Sequence, residues 1–365
     1  MKFRPDINGL RAIAVLLVVF YHVHFPVPGG FVGVDVFFVI SGFLITSIIE
    51  KEIRTGVFSF GNFYSRRAKR LLPAFIFMLI PLFIYCWYNL LAVDLVSFSK
   101  SALFSIIGAS NFYFYSIPNY IILSGREPLI HTWSLSIEEQ FYLIWPVMLF
   151  LLYKKKDLRI NFVILSVVLF LSLFSAQYCV IHDKHLAYMM LPFRFFELLS
   201  GAVLAINYRR IKVKDEWIHV TSVLGFFLIL SSAFLINKNS QFPGFLSLPV
   251  VIGATLFIVS YNGNKFGIFN RILSNSIISY IGKVSYSFYL WHWPIIMFSR
   301  YRGIELNKIN SSVIIVISFS VACLSYHFVE KPFRRLNYRK YTLPFFYLLS
   351  VLLLMVISIV ITKNN

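Results

Sequence analysis

The sequence predicts an all-α protein, a polytopic membrane helical bundle of about ten core spans with an eleventh span near the C-terminus and a re-entrant segment near 98–116. Three observations predict it. Of 365 residues, 58% are hydrophobic and only 13% charged, with 40 phenylalanines, whereas soluble domains run near a quarter charged. Apolar stretches recur at the length needed to cross a bilayer. Basic residues outnumber acidic ones 34 to 15, a net charge of +19, and gather in short runs between those stretches, as cytoplasmic loops do. So much apolar surface cannot be hidden in one water-soluble core, which excludes a soluble enzyme. Disordered, collagen-like and disulfide-scaffold classes are excluded with it. The basic excess is accounted for by membrane topology, with no nucleic-acid partner needed.

The stretches lie at roughly 10–26, 31–49, 71–93, 98–116, 136–153, 160–181, 186–206, 217–236, 244–261, 284–302, 311–329 and 342–361. Lys2, Arg4 and Arg11 place the N-terminus in the cytoplasm. No cleavage site follows the first stretch, which reads as a retained span. Pro26–Val27–Pro28–Gly29–Gly30 makes a tight outer turn, and Arg66, Arg67, Lys69 and Arg70 bring the chain back inside. Lys154–Lys155–Lys156 and Arg209–Arg210 then require an odd number of crossings between Arg70 and Trp133, where two apolar stretches lie. The stretch 98–116 is the one expected not to span. It carries Ser99, Lys100, Ser101, Ser105 and Ser110, and irregular backbone at membrane depth survives where it faces protein or a watery cavity. Lys331, Arg334, Arg335, Arg339 and Lys340 then fall inside, giving an extracytoplasmic C-terminus. The expected organisation is one membrane domain over 1–335, with an additional helix and short tail over 336–365. Cys86, Cys179 and Cys323 sit within apolar stretches without a CxxC pair and read as buried thiols, with no metal or disulfide role.

Ionisable groups inside spans mark candidate chemistry. Arg11 and His22 stand eleven residues apart in the first stretch, close to three helical turns and ~16 Å along one face. A guanidinium at the cytoplasmic mouth and an imidazole beyond mid-membrane suit an elongated anionic ligand, Arg holding phosphate and His meeting the reactive end. A snorkelling anchor and an interfacial histidine explain the two residues singly. Arg67 and Arg70 share a helix face at i, i+3, as a phosphate clamp or as the inner anchor of the next helix. In the block His131–Tyr142, Ser136 and Glu139 fit a capping box. Glu138 has no such task; it shares a face with Tyr142 and enters from the outer side, where a carboxylate can orient an imidazole or take a proton. Asp35, near Ser41, needs a partner. Arg194 and Glu197 at i, i+3 suffice to neutralise each other. Tyr289 and His292 stand in an otherwise apolar stretch with Ser285 and Tyr286, and Trp291 and Trp293 fit an interfacial belt. Ser325, Tyr326, Glu330 and Arg334 close the last cytoplasmic corner. Walker, dinucleotide, GxSxG and HExxH motifs are absent.

Several of these segments together resemble the integral-membrane acyltransferase-3 family, which includes O-antigen and peptidoglycan O-acetyltransferases. Arg4–Val15 resembles its first-helix signature, Arg11 to His22 its Arg-x10-His motif, and Pro28–Ile45 its second-helix block. Arg67–Ala68–Lys69–Arg70 matches its Arg-x-x-Arg motif. His131–Tyr142, Tyr289–Pro294 and Ser325–Arg334 are similar too, in the family's order along nearly the whole chain. Asn8 stands where many relatives have Asp, a change expected to be neutral for the helix cap. The resemblance implies an acyl-CoA donor, most simply acetyl-CoA as co-substrate, with no tightly bound cofactor. It makes His22 the catalytic imidazole, Glu138 a functional carboxylate, and Arg11, Arg67 and Arg70 the residues handling donor phosphates. The implied acceptor is a cell-surface polysaccharide, such as lipopolysaccharide O-antigen, or its lipid-linked glycan precursor, reached across the bacterial cytoplasmic (inner) membrane. Many relatives continue into an SGNH-hydrolase-like domain, while this chain ends four residues after Ile361; a separate extracytoplasmic transferase is an expected partner if the membrane domain does not finish the transfer. A glycan or lipid-intermediate transporter is the alternative from another class.

Overall fold

The computed structural model describes residues 4–117, 127–154, 158–208, 210–211, 213–262, 265–335, 348, 350–352 and 354–359. Lys2, Lys155, Lys156, Arg209, Arg339 and Lys340, which carry part of the topology argument, lie outside them. The expected boundary at 335/336 falls at their edge. The described chain is almost wholly helical, its strands being the antiparallel pair Tyr261–Asn262 and Lys265–Phe266. Among the described residues, seven helices are long and apolar enough to cross a membrane: Gly30–Arg54, Phe60–Asn89, Thr132–Lys154, Ile160–His182, Lys184–Asn207, Asp215–Leu235 and Lys308–Arg335. Shorter apolar helices follow at Gly244–Val259 and Ser350–Ile359. Two further expected spans, over the helices Pro5–His22 and Ser276–Tyr301, are not among the seven.

The packing divides into two units, Met1–Phe58 with Glu138–Ser285, and Ser59–Ile137 with Tyr286–Asn365. The first contains α1 (Pro5–His22) and α2 (Gly33–Arg54). Proline at the first position of α1 loses no hydrogen bond that a helix start would make, and Arg4 occupies the cap. Asn8 therefore lies within the helix, and its exchange is not a matter of capping. Arg4 grips Asp6 with both ends of its guanidinium fork, at 2.8 and 2.6 Å, and donates to the Tyr208 hydroxyl at 2.8 Å. Asn270 donates to the same carboxylate at 3.0 Å. The first residues of the signature thus lock the entrance of α1 onto distant parts of the unit.

Two glycines set a close helix crossing. A methyl group on Gly42 of α2 would lie 1.8 Å from the Leu198 carbonyl oxygen, and one on Gly201 would lie 1.9 Å from that of Val39. Leu198 and Gly201 belong to the helix Leu191–Asn207. Backbones touch there because neither helix carries a side chain at the crossing, a common solution where lipid supplies no hydrophobic drive. Around it packs a core that includes Leu10, Val36, Ile40, Phe43, Phe196 and Phe257.

The second unit holds α3 (Phe60–Asn89), α4 (Ala92–Ile106) and α5 (Ser110–Ser116). The stretch 98–116 is broken between α4 and α5, as its serines suggested. Gly108 takes φ +71°, a conformation only glycine enters freely. The 15 residues of α4 reach ~22 Å, short of a ~30 Å hydrocarbon core. Ser99, Ser101 and Ser110 are fully buried, and the Ser110 and Ser136 hydroxyls bond at 2.7 Å. This overturns the capping-box reading of Ser136 and Glu139. The helix α6 runs Thr132–Lys154, so Ser136 is already inside it and its hydroxyl serves α5 instead.

Candidate active site

In the first unit α1 is one unbroken helix of 18 residues from Pro5 to His22. Arg11 and His22 accordingly share a face, ~16 Å apart along the axis, and both are half-buried. The His22 ring lies 5.3 Å from that of Tyr21. Three other candidates meet directly. The Ser41 hydroxyl donates to one Glu138 carboxylate oxygen at 2.8 Å, and the Tyr142 hydroxyl donates to the other at 3.0 Å. Glu138 and Tyr142 are one turn apart on α6, and Ser41 comes from α2. A carboxylate held from both sides keeps one rotamer and is ready to accept or pass on a proton. About two turns further along α6, Trp145 donates to the Thr46 hydroxyl at 2.7 Å, fixing α6 against α2.

Asp35 has its partner in Arg194. Arg194 lies 3.3 Å from Asp35 and 3.2 Å from Glu197, and all three side chains are fully buried. The rings of Phe38, Tyr188 and Phe242 surround the guanidinium at 5.3 to 5.5 Å. The i, i+3 pairing read from the sequence is present but incomplete, since one guanidinium serves two carboxylates.

The second unit contains Arg67 and Arg70, both half-buried at i, i+3 on α3, with Arg66 exposed beside them. The Tyr286 hydroxyl donates to the Leu71 carbonyl at 3.0 Å. A π-helical turn, Tyr326–Glu330, buries Glu330, which accepts from Ser287 at 3.0 Å and lies 3.4 Å from Arg334. Tyr289 and His292 are buried on the helix Ser276–Tyr301, here α7. Tyr289 donates to the His131 carbonyl at 2.9 Å and bonds Ser134 at 2.6 Å, and His292 Nδ1 meets the Tyr289 carbonyl at 2.6 Å. Trp291 and Trp293 are each only 8% exposed, so they form no lipid-facing belt. The Trp293 indole instead donates to the Glu127 carbonyl at 2.9 Å.

Sequence reasoning missed Glu127. Its side chain is buried and accepts from Ser97, whose hydroxyl also bonds Tyr113 at 2.9 Å. Burial, reinforced by Asp94, raises its pKa above the ordinary carboxylate value against the opposing pull of Ser97. A lone acid in a polar connection gives no periodicity and no motif to find it by.

A family described as an acyltransferase domain matches residues 4–363. The O-acetyltransferase OatA of Staphylococcus aureus strain NCTC 8325 is 32% identical over 100% of this chain and 64% of its own. A provisionally named O-acetyltransferase of strain MSSA476 is 34% identical over 98% of this chain and 62% of its own. The chain thus spans less than two thirds of the length of these relatives. No solved structure matches it significantly. With the match covering nearly every residue, from Arg4 through the helix of Arg11 and His22 to the final span, the chain belongs to this acyltransferase-domain family.

Proposed function

We propose that the protein is a membrane O-acyltransferase, most simply an O-acetyltransferase, acting in the bacterial cytoplasmic membrane. It moves an acetyl group from cytoplasmic acetyl-CoA to a hydroxyl of a cell-surface polysaccharide or its lipid-linked precursor. The observation that carries this reading is the unbroken α1, with a guanidinium and an imidazole on one face. Their separation suits a donor whose phosphates and thioester lie at opposite ends of an extended arm. Arg11, Arg67 and Arg70 receive the phosphates as charge-assisted contacts. The acceptor oxygen attacks the thioester carbon, the carbon–sulfur bond breaks, and the thiolate leaves. His22 takes the hydroxyl proton and returns it to the thiolate, or first carries the acetyl group itself. Glu138, gripped by Ser41 and Tyr142, orients the imidazole or relays its proton.

The test is incorporation of labelled acetyl into glycan by inverted membrane vesicles, with acetyl-CoA consumption followed in parallel. His22→Ala is expected to lower both by a factor of ~10²–10⁴. A folded wild-type protein that consumes no acetyl-CoA, or a His22→Ala variant that matches it, overturns the reading.

A further inference from the structure

Two buried polar groups of the second unit lie in one short turn and play no part in the chemistry above. Glu127 and His131 are each 3% exposed, at either end of the turns leading into α6. The Oε1 of Glu127 accepts from Ser97, while its Oε2 has no hydrogen-bond partner among the described residues. Among the described residues neither ring nitrogen of His131 makes a well-formed hydrogen bond, the Leu290 carbonyl being a favourable polar neighbour. Leaving such groups unsatisfied is costly, and a native structure rarely does so twice within five residues without a use for them.

The surroundings hold the turn rigidly. Tyr289 on α7 donates to the His131 carbonyl, and Trp293, one turn on, donates to the Glu127 carbonyl. The His292 ring stands edge-on to that of His131, with centroids 5.8 Å apart. Ser134 bonds both Tyr289 and the His131 carbonyl. Both carbonyls are held while Glu127 Oε2 and the His131 ring have no partner among the described residues, which is how a binding site is preorganised.

The chemistry of these atoms selects the ligand. Burial and the neighbouring His292 lower the His131 pKa well below its ordinary value, so the ring is neutral and offers one donor and one acceptor nitrogen. Glu127 disfavours an anion. Among the described residues no cluster of three or more His, Cys, Asp or Glu could hold a metal ion. A neutral hydroxyl both donates and accepts, and so suits either group.

We propose that the Glu127–His131 turn is a recognition site for the hydroxyl groups of a neutral sugar, the acceptor side of the transfer reaction. This rests on the acyltransferase reading. The orientation argued from the basic loops puts the Thr132 end of α6 on the outer face, opposite the end where the donor enters.

The full chain in lipid nanodiscs would be examined by saturation-transfer NMR with methyl α-D-glucopyranoside, and with its per-O-methylated analogue, which lacks every hydroxyl donor. The glucoside should give a signal and the analogue none. His131→Phe and Glu127→Gln should each weaken glucoside binding at least tenfold while acetyl-CoA binding stays within twofold. Should His131→Phe not fold, Glu127→Gln preserves size and shape and carries the test alone. Equal signals from the two probes, or unchanged glucoside binding in folded variants, overturn the site. Glucoside binding that depends on this turn in a wild-type protein consuming no acetyl-CoA would instead retain the site and sink the acyltransferase reading.

Discussion

The two units bury polarity in opposite ways. In the first, charge answers charge: Asp35, Arg194 and Glu197 are sealed together with no exposed surface. In the second, neutral hydroxyls answer one another: Ser97 with Tyr113, Ser105 with Thr132, Ser110 with Ser136, and Ser134 with Tyr289. The difference matters because removing one ion strands its partners in a low-dielectric interior, whereas removing one hydroxyl leaves a smaller debt.

The contrast breaks most sharply at Arg194. Arg194→Met leaves two carboxylates facing apolar rings and should cost ~3–5 kcal/mol, read as lost thermal stability in detergent. Adding Asp35→Asn and Glu197→Gln should return most of it. A single variant as stable as wild type would mean that the ion cluster contributes nothing. Gly201→Ala comes next: its methyl group meets the Val39 carbonyl oxygen at 1.9 Å, forcing the helices apart for ~1–3 kcal/mol. The matched change in the second unit, Ser110→Ala, should cost only ~1 kcal/mol; a loss as large as that of Arg194→Met would erase the distinction between the units. Tyr142→Phe removes one of the two hydroxyls on Glu138 and should lower acetyl transfer several-fold with stability changed by ~1 kcal/mol. Unchanged transfer would remove Tyr142 from the site.

The smallest effect concerns Glu127. Its raised pKa means that the folded protein releases this proton at a higher pH than the unfolded chain. The stability that accompanies the neutral carboxyl is full below the unfolded value and is lost as pH rises through the folded one. Ser97 opposes the shift, so Ser97→Ala should make stability fall more steeply between acidic and neutral pH. Unfolding curves that run parallel for the two proteins would exclude this coupling.

Much of this architecture was legible in the sequence, for identifiable reasons. The serines of 98–116 announced buried irregular backbone because hydroxyls at that density have no place facing lipid. Glu138 and Tyr142 were legible as a pair because helical spacing alone brings them together. Ser41 was harder, since its contact joins two helices and no local pattern encodes that. The partner of Asp35 was illegible for the same reason, Arg194 being 159 positions away in the chain. Ser136 and Glu139 misled because a capping signature four residues long recurs by chance inside helices. Trp293 misled because an indole at a span end favours the interface unless a backbone carbonyl claims its N–H, as that of Glu127 does.

Gly42 is the immediate neighbour of Ser41, and Gly42 is where α2 presses directly on the opposing main chain. A contact of backbone on backbone has no rotamers to populate and almost nothing to compress. The height of Ser41 is therefore set like a mark on a ruler, and the hydroxyl arrives at Glu138 with the accuracy of covalent geometry. Thickening or thinning of the surrounding bilayer would be taken up by helices that meet through long, pliant side chains before it disturbed this one. A cell that retailors its lipids with growth temperature would thus change the solvent of the protein while leaving the spacing around this carboxylate untouched.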